Sequence, residues 1–416
     1  MNRQVYKWDR VVVALLFMLV TQSLAAQMTK EVTAIVDNRQ RFERQDEPVV
    51  IRMQKVNRQK FVARSAVVKF GNEEIPCQMD DLDGDGVYDE LAFVANFAAN
   101  ETKEFTIVFS DSEPQRQYRP RVYADMILED RRGLRPFITS IEAPKGTDLF
   151  SDLYHHGVAF ESEVTAYRVY FDKRQNVDIY GKRIRRLELP DTHFYTTAEQ
   201  LEQGYGNDVL WAGSTVGCGT LKLWDGTRMI NWENISSRGQ RLLASGPVRT
   251  VVEVVERGVE GMTVTTRYTL YAGHREELVE TNVSQPIPRP MFCTGVQKVG
   301  RNPYSLLNPR EAFCVSWGTD YPEQSNDQMM QLFPPEAVGM AVFVPREHVV
   351  SFREDDQNCL LVIGKPGTTS FHYYLSFCAD KEVNGFHDKN DWFACMKDWK
   401  KALTHPLRVR LSKQKQ

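Results

Sequence analysis

The sequence has no excess of basic residues, and this absence excludes several classes of partner. Its 52 lysines and arginines are outnumbered by 55 aspartates and glutamates, so the net charge is -3. Nucleic-acid binding depends on phosphate contacts from clustered basic side chains, and polybasic segments are what attach proteins to anionic lipid surfaces. We therefore expect no nucleic-acid partner and no electrostatic attachment to a membrane.

An apolar run long enough to cross a membrane is also missing. Residues 11–20 are apolar, but a transmembrane helix needs about 20 such residues. Lys7 and Arg10 precede this run and the small residues of SLAAQ (23–27) follow it, an order typical of a secretory signal. We predict a signal peptide over residues 1–26, cleaved near Ala25 or Ala26, and a periplasmic or secreted protein. The alternative is a short N-terminal membrane anchor.

Cysteine pairs with the spacing of metal ligands or redox motifs are a third absence. The seven cysteines are scattered and none forms a C-x-x-C pair. An odd number in a chain of this size is also unlike the disulfide framework of small secreted domains. We expect mostly buried free thiols, with one bridge among them at most.

Short alternating runs and abundant aromatic residues indicate a mostly β protein. About 390 residues remain after cleavage, which favours two domains. Residues 27–125 contain several strand-like segments separated by Gly, Asn, Asp and Pro, and predict a small β domain. Residues 126–416 are also strand-rich, and their clearest signal is a hairpin over residues 248–271 that continues through 277–283. Few helices are expected, over residues 197–203 and 390–402.

Alternating carboxylates and glycines within the first domain resemble the start of a calcium loop. Position 92, where an EF-hand has a bidentate glutamate, is an alanine, and strands replace the flanking helices. We predict a structural calcium site in a β-hairpin loop, and no other cofactor. The alternative is a turn held by side-chain to backbone hydrogen bonds without metal. The candidate ligands are Asp81, Asp83, Asp85 and Asp89.

Residues 151–211 contain the densest mixture of acids, bases and aromatic rings, as expected of a polar cleft for saccharides. The alternative is a set of strand ends and loops whose polar groups are solvated. Three of the eight histidines lie here, but no ligand spacing supports a zinc site. The candidate catalytic residues are His155, His156, Tyr167, Tyr170 and His193. The candidate substrate-binding residues are Arg168, Lys173, Tyr195, Tyr205 and Trp211.

Several strings resemble those of a secreted Bacteroidetes family catalogued as domain of unknown function 4861. They are SDLYHHGVAFES (151–162), YRVYFDKR (167–174), VDIYG (177–181) and DVLWAG (208–213), together with the Asp/Gly loop at 81–90. The resemblance covers nearly the whole mature chain. It implies a large β-supersandwich like that of galactose mutarotases and several polysaccharide lyases, behind a smaller β-sandwich-like domain. It also implies work on oligosaccharides in polysaccharide utilisation, often on uronic-acid polymers, and in some relatives the elimination of water from terminal uronic acids.

Elimination on a uronate requires three groups. One neutralises the carboxylate, a base removes the C5 proton, and an acid protonates the oxygen that leaves C4. A histidine near neutrality suits the base, and arginine holds a carboxylate bidentately. We assign His155 or His156 as base, with His193 in reserve, Tyr167 as acid, and Arg168 or Lys173 as carboxylate holder.

The assignment contains one geometric conflict, and two other classes of function are alternatives to elimination. Tyr167 and Arg168 are neighbours on a predicted strand and should face opposite sides, so Tyr170 is the reserve acid. A glycoside hydrolase or sugar epimerase would use Glu161 or Glu163, which lie side by side and would need a distant partner. A non-catalytic carbohydrate-binding protein would need only the rings and polar groups.

Overall fold

The computed structural model describes residues 27–413, apart from residues 59–60, 115, 130–131, 148 and 325. The predicted signal peptide lies outside these described residues. Within them the chain forms 27 strands in five antiparallel sheets, together with four short α-helices and two 3-10 helices. The prediction of a mostly β, sandwich-like protein with few short helices is therefore confirmed.

Two sheets pack face to face in a small N-terminal sandwich. The spatial order of the first is β27 (Arg408–Lys413), β1 (Thr29–Asp37), β7 (Thr102–Ser110), β3 (Ser65–Phe70) and β4 (Glu73–Ile75). The order of the second is β2 (Arg44–Arg52), β6 (Glu90–Phe97) and β5 (Cys77–Asp80). Alternate residues of these strands, such as Val36, Phe93 and Phe105, are buried in a common core, as the two-residue period of a strand requires.

The last strand belongs to this first sandwich. In β27, Val409 pairs with Val36 of β1, and Leu411 packs against the core of the N-terminal sandwich. The sequence places residues 126–416 in one unit, whereas the structure returns the C-terminal strand to the sheet in which the described chain begins. The first and last strands of the described residues are thus paired with each other.

Three sheets form the larger unit. A nine-stranded sheet, here called the central sheet, has the order β21 (Arg301–Asn308), β22 (Phe313–Asp320), β23 (Glu336–Phe343), β26 (Ser370–Ala379), β19 (Glu277–Val283), β18 (Met262–Tyr271), β17 (Arg249–Val259), β16 (Ser237–Ser245) and β9 (Ser140–Pro144). A five-stranded sheet, here called the front sheet, has the order β13 (Asn207–Asp208), β12 (Val177–Gly181), β11 (Thr165–Tyr170), β10 (Gly157–Ser162) and β8 (Val122–Asp125).

The remaining five-stranded sheet lies beside the front sheet. Its order is β15 (Met229–Ile230), β14 (Lys222–Trp224), β20 (Phe292–Gln297), β25 (Asn358–Ile363) and β24 (Val349–Glu354). Residues from both five-stranded sheets share one apolar core with the inner face of the central sheet, including Phe160, Val254, Phe292 and Val342. The larger unit is therefore a sandwich whose central sheet is covered on one face by two smaller sheets.

The predicted hairpin and its continuation are confirmed as β17, β18 and β19. Their alternation places Val254, Val264 and Val279 in the core. The opposite face is half-buried because the N-terminal sandwich packs near it. Arg267 of β18, for example, donates to the carbonyl oxygen of Leu82 at 2.9 Å.

The helices are α1 (Leu189–Thr192), α2 (Ala198–Glu202), α3 (Asp327–Leu332) and α4 (Lys389–Leu403), and the 3-10 helices are Met53–Lys55 and Arg346–His348. Both predicted helices are present. Thr197 begins α2 with a capping box. The stripe of Trp392, Met396 and Trp399 packs α4 onto the outer face of the central sheet. In the described part of the chain, no helix is long and apolar enough to cross a membrane.

All seven cysteines are free, and six of them are buried. The expectation of buried thiols is confirmed, and the single bridge that it allowed is not formed. Burial raises the pKa of these thiols; that of Cys77 reaches about 11. They therefore act as small apolar side chains in the cores.

Charged groups join the small sandwich to the large one. Arg249 of β17 is 3% exposed and pairs with Asp80 at 2.7 Å and Glu90 at 2.9 Å, on the two strands that flank the Asp/Gly loop. His274 Nε2 contacts the carbonyl oxygen of Asp46 at 2.8 Å, and its Nδ1 lies 2.7 Å from the Glu276 carboxylate. Burial opposes protonation of the ring, but Glu276 and this carbonyl outweigh it and raise the pKa of His274 to about 9.

We predict that protonated His274 stabilises the fold in a pH-dependent way. Because its folded pKa of about 9 exceeds the ordinary value of 6.5, its contribution is complete below about pH 6.5 and is lost as the pH rises through about 9. His274→Gln should lower the free energy of unfolding by roughly 1–2 kcal/mol at pH 6.5 and flatten its dependence on pH. Urea unfolding followed by tryptophan fluorescence measures both.

The exposed His387, whose Nδ1 contacts the carbonyl oxygen of Asp380, offers a matched control. His387→Gln should keep the pH profile of the original protein. If the free energy of unfolding depends on pH in the same way in His274→Gln and in the original protein, protonation of His274 does not stabilise the fold.

Candidate histidine and arginine site

The front sheet has one apolar and one polar face. On β11, Tyr167 and Val169 point into the sandwich core, so Arg168 between them points outward. The strand register aligns Arg168 with Asp178 of β12 on one side, and with Ala159 and then Asp125 on the other. Side chains in one such row share a face, so this register gathers three charged groups on one face across four neighbouring strands.

Arg168 is the centre of this polar face. It is only 3% exposed, and its Nη2 lies 2.7 Å from Asp178 and 2.9 Å from Asp208. Two carboxylates thus oppose one guanidinium. Burial first, and then the charge of Asp178, raise the pKa of Asp208 well above its ordinary value, so this carboxyl holds a proton more readily than a usual aspartate.

Two phenols complete the surroundings of the guanidinium. Arg168 donates to the hydroxyl oxygens of Tyr195 at 3.1 Å and Tyr170 at 3.2 Å, and the ring of Phe194 lies 4.3 Å from its central carbon. The donors of Arg168 are therefore directed at groups of the protein. The predicted role of Arg168 as holder of a substrate carboxylate is not supported, because a buried guanidinium with these partners has no exposed edge for one.

Asp125 forms a second buried centre next to the first. Its carboxylate lies 2.8 Å from Nε2 of His155 and 3.7 Å from Nδ1 of His193, and it accepts a hydrogen bond from Tyr123 at 3.0 Å. Burial favours the neutral acid, but the two neighbouring histidines outweigh it and lower the pKa of Asp125. An ionised Asp125 therefore contacts His155 directly and lies behind the His193 ring without a hydrogen bond to it.

The two histidines differ in their access to solvent. The side chain of His155 is fully buried, whereas that of His193 is 28% exposed. His155 cannot touch a substrate in this geometry, so the predicted role of His155 as base is not supported. It positions Asp125 instead, and His193, the reserve base of the sequence analysis, is the one that reaches the surface.

Unusual backbone conformations bring these rings together. His156 and His193 both have positive φ angles, 64° and 47°, which turn the chain sharply before β10 and after α1. Gly157 follows His156 directly, and a Cβ there would lie 1.8 Å from the carbonyl oxygen of Val169, so only glycine permits β10 to approach β11.

A buried glutamate fixes the segment that carries His193. Glu161 accepts hydrogen bonds from the backbone of Glu188 at 3.0 Å and of Leu189 at 2.9 Å, and it pairs with the buried Lys182. Glu163, the other carboxylate considered for a hydrolase, pairs with Arg121. Both side chains are engaged in holding the fold, so neither suits the role of a hydrolase carboxylate.

Aromatic rings surround the exposed edge of His193. The ring of Tyr154 lies 5.3 Å from that of His193 and 5.9 Å from that of Tyr195, and Arg135 lies 3.6 Å above it. We call the group formed by Tyr154, His193, Tyr195, Asp208 and Arg135 the His193 cluster. Each of these side chains is partly exposed, in contrast to the buried Asp125 and Arg168 behind them.

His156 lies beside this cluster without joining its exposed edge. Its ring stacks on Phe150 at 3.7 Å, its Nδ1 donates to the Phe150 carbonyl oxygen at 2.7 Å, and Tyr195 is 5.8 Å away. Burial lowers the pKa of His156 to about 4. The ring is therefore neutral at physiological pH and is a weak base.

The structure brings together six of the ten predicted catalytic and binding residues: His155, His156, Arg168, Tyr170, His193 and Tyr195. Four others lie elsewhere. Tyr167 is buried in the core and donates to the carbonyl oxygen of Arg275, so it cannot serve as the acid. Lys173 pairs with Glu233 at 3.0 Å on the surface, and Tyr205 donates to Asp191 at 2.9 Å. Trp211 is 43% exposed in the segment after β13.

Five further residues of this site had not been assigned a role from the sequence: Asp125, Arg135, Tyr154, Asp178 and Asp208. Tyr154 directly precedes the paired histidines, so proximity in the sequence would have found it. Asp178 faces Arg168 across β11 and β12, which a correct strand pairing would have shown. Asp125 ends β8, a strand far from the histidines in sequence, and no local pattern marks it.

Three of the predicted calcium ligands converge. In the described part of the chain, Asp81, Asp83 and Asp89 form the single group of metal-type side chains whose ligand atoms lie within 4.8 Å of one another. Asp85 stands apart and accepts a hydrogen bond from the backbone of Val87 at 2.7 Å. The oxygen donors of these three aspartates suit a hard cation such as calcium. Within the described residues, His155, His156 and His193 form no such group, so they give no support to a zinc site. Asp81 also accepts two backbone hydrogen bonds within the loop, as the metal-free alternative requires.

The calcium site stays a prediction, and its test is thermal unfolding. Calcium should neutralise three neighbouring carboxylates and raise the melting temperature by about 1–2 °C, which corresponds to roughly 1–2 kcal/mol in a protein of this size. Asp83→Asn should remove the increase, while Asp225→Asn, in an exposed turn of another sheet, should keep it. Identical melting curves with calcium and with a chelator would leave the loop as a turn held by its own hydrogen bonds.

The sequence matches a known protein family. The family described as Domain of unknown function (DUF4861) matches residues 36–409. The chain belongs to the DUF4861 family. The resemblance noted in the sequence is thereby confirmed, and it extends over both sandwiches, from β1 to β27. A comparison with curated proteins finds no match by sequence.

Solved structures resemble this DUF4861 chain in fold. One is a protein in the glycosyl hydrolase family 38 from Enterococcus faecalis, with a TM-score of 0.51 and 9% identity over 93% of this chain and 48% of the other. Another is an alpha-mannosidase from Enterococcus faecalis V583, with a TM-score of 0.48 and 9% identity over 93% and 46%. This chain spans about half the length of these proteins. At such low identity the first likeness shows the sandwich fold alone.

Proposed function

We propose that this chain is an exported carbohydrate-active enzyme that catalyses elimination on uronic-acid-containing oligosaccharides. The observation that carries the proposal is the convergence of His193, Tyr154 and Tyr195 at the surface, directly over the buried Asp125 and Arg168. The titratable groups and rings needed for proton transfer on a sugar thus lie on one face of one sheet. The sugar-degrading protein named among the fold neighbours is in keeping with a saccharide substrate.

His193 is the base in this proposal. A neutral imidazole within reach of a uronate can take its C5 proton. Asp125, ionised and 3.7 Å from the Nδ1 atom of this ring, stabilises the imidazolium that forms by its charge. This arrangement explains why two histidines share one buried carboxylate although only one of them reaches solvent.

Tyr195 is the acid. Burial raises the pKa of its hydroxyl, so the phenol is protonated at neutral pH. As the bond from C4 to its oxygen breaks, the phenol proton passes to that oxygen, and the N–H of Arg168 at 3.1 Å stabilises the phenolate. The C5–H electron pair becomes the C4–C5 double bond. Water leaves from a free 4-hydroxyl, and an alcohol leaves from a glycosidic oxygen. No electrons are gained or lost.

Arg135 holds the substrate carboxylate. Its side chain is 47% exposed, pairs with Glu129 at 3.2 Å and lies over Tyr154, next to His193. A guanidinium there can exchange its exposed partner for a substrate carboxylate, which withdraws charge from C5 and makes its proton more acidic. Asp208, whose pKa is raised by burial and by Asp178, is the alternative proton donor, because it shares Arg168 with Tyr195 and its side chain is 26% exposed.

We predict that His193→Gln and Tyr195→Phe each reduce turnover by about 10²–10⁴-fold, the usual contribution of a general base or acid. The assay incubates the protein with a panel of uronate oligosaccharides. It follows the absorbance of the unsaturated uronate and the mass of the products. Loss of one water, or release of an unsaturated end, is the expected result.

Two matched variants control for nonspecific effects. His387→Gln and Tyr304→Phe change the same residue types at exposed positions far from the cluster, and both should keep the original rate. New reducing ends without unsaturation would reassign the site to hydrolysis, and binding without turnover would reassign it to recognition alone. Unchanged elimination in His193→Gln would reject the base.

A further inference from the structure

A second polar cleft lies on the opposite side of the large sandwich. It has a volume of about 470 Å³ and opens between the outer face of the central sheet and the C-terminal end of α4. The front sheet covers the other, inner face of the central sheet, so the sandwich core separates this cleft from the His193 cluster. Its main lining residues are Arg310, Phe343, Arg346, His372, Tyr374 and Lys400. We call it the α4 cleft.

The floor of the α4 cleft is aromatic. Phe343 of β23 and Tyr374 of β26 are paired residues of neighbouring strands, and their rings stack with centroids 6.2 Å apart and planes inclined by 17°. His372, two residues before Tyr374 on the same face, meets the Tyr374 ring edge-on at 5.7 Å. Because Phe343 is 4% exposed, the half-buried Tyr374 is the ring of this floor that can meet the apolar face of a pyranose ring.

A pair of histidines supplies hydrogen bonds beside this floor. Nε2 of His348 lies 3.1 Å from Nδ1 of His372, so one ring donates to the other. Burial lowers the pKa of both rings, so the pair is neutral at physiological pH. Whichever ring donates, the two outer ring nitrogens then present one donor and one acceptor. Neither of these outer nitrogens has a hydrogen-bond partner among the described residues. Of the two rings, His372 lines the cleft, and a sugar hydroxyl, which both donates and accepts, can bind its outer nitrogen in either state.

Cationic side chains stand around the same opening. Lys400 is held by Glu311 at 3.0 Å, whereas Arg310 and Arg346 have no ion pair within the described chain. Glu347 is the other acid on the lining, so with neutral histidines three cations face two carboxylates. A ligand that carries one carboxylate per sugar would balance the remaining charge, while Glu347 can accept hydrogen bonds from sugar hydroxyls.

We propose that the α4 cleft is a second binding site for an acidic saccharide, separate from the His193 cluster and without a catalytic role. Tyr374, packed on Phe343, binds the sugar face, the two arginines bind the carboxylate, and His372 binds a hydroxyl. Its volume lies within the range of about 300–1,000 Å³ that small-ligand sites occupy. The proposed function enters only in the choice of uronates as probes.

The test is calorimetric titration with tetramers of galacturonate, glucuronate and mannuronate, and with maltotetraose as a neutral tetramer. Using His193→Gln as a second protein background excludes turnover. At least one acidic tetramer should bind, and Arg310→Gln with Arg346→Gln should weaken it at least tenfold, as expected for lost charge-assisted hydrogen bonds. His372→Gln should weaken it severalfold. Arg228→Gln, an exposed arginine in another sheet, should change nothing.

Every outcome decides the proposal. Equal affinity for maltotetraose, or acidic-tetramer binding that the arginine pair does not affect, would overturn it, as would the absence of binding by all three acidic tetramers. Inorganic phosphate that binds as tightly, with the same dependence on the arginines, would reduce the cleft to a general anion site. The arginine variants should keep the elimination rate on short substrates within about twofold. His193→Gln should lose elimination activity and retain the saccharide affinity of the α4 cleft. Failure of one site is therefore distinguishable from failure of the other.

Discussion

The charge balance around Arg168 is the constraint on which the polar face of the front sheet depends. A guanidinium that is 3% exposed persists only if its charge and its donors are matched, because an unpaired buried charge costs several kcal/mol. Asp178 matches it across one strand pair and Asp208 from the next strand, and the two phenols take further N–H groups. The same contacts orient Tyr195, while burial and Asp178 raise the pKa of Asp208 against the opposing charge of Arg168, so the groups that stabilise the sheet are also those on which the proposed proton transfer depends.

Strand alternation is what the sequence predicted best. The hairpin of β17 and β18, the capped α2 and the stripe of α4 follow from residues close together in the chain, and the structure contains all three. The opposite facing of Tyr167 and Arg168 also follows from a period of two. It separates a tyrosine of the core from an arginine of the site, and it explains why Tyr167 and Arg168 do not act on the same substrate.

The composition of the site was less accessible to sequence reasoning because it depends on register and on loop geometry. Asp125 reaches the histidines only because β8 pairs with β10, and His193 arrives there through a left-handed turn after a helix of four residues. Whether the N–H groups of a side chain already have partners also depends on residues far apart in the sequence. Arg168 looks like a free cation in the sequence, and only the tertiary structure shows that four protein groups already engage it.

The two outer faces of the large sandwich present different sets of side chains. The front sheet places rings and proton-transfer groups over two buried charges, whereas the outer face of the central sheet pairs stacked rings with unpaired arginines. A packed core resists deformation, so it holds these two surfaces at a fixed separation. The β27–β1 pairing and the buried Arg249 attach the small sandwich to the same body. An acidic polymer held in the α4 cleft would therefore meet a rigid protein, and its free segments, not a hinge, would have to reach the His193 cluster.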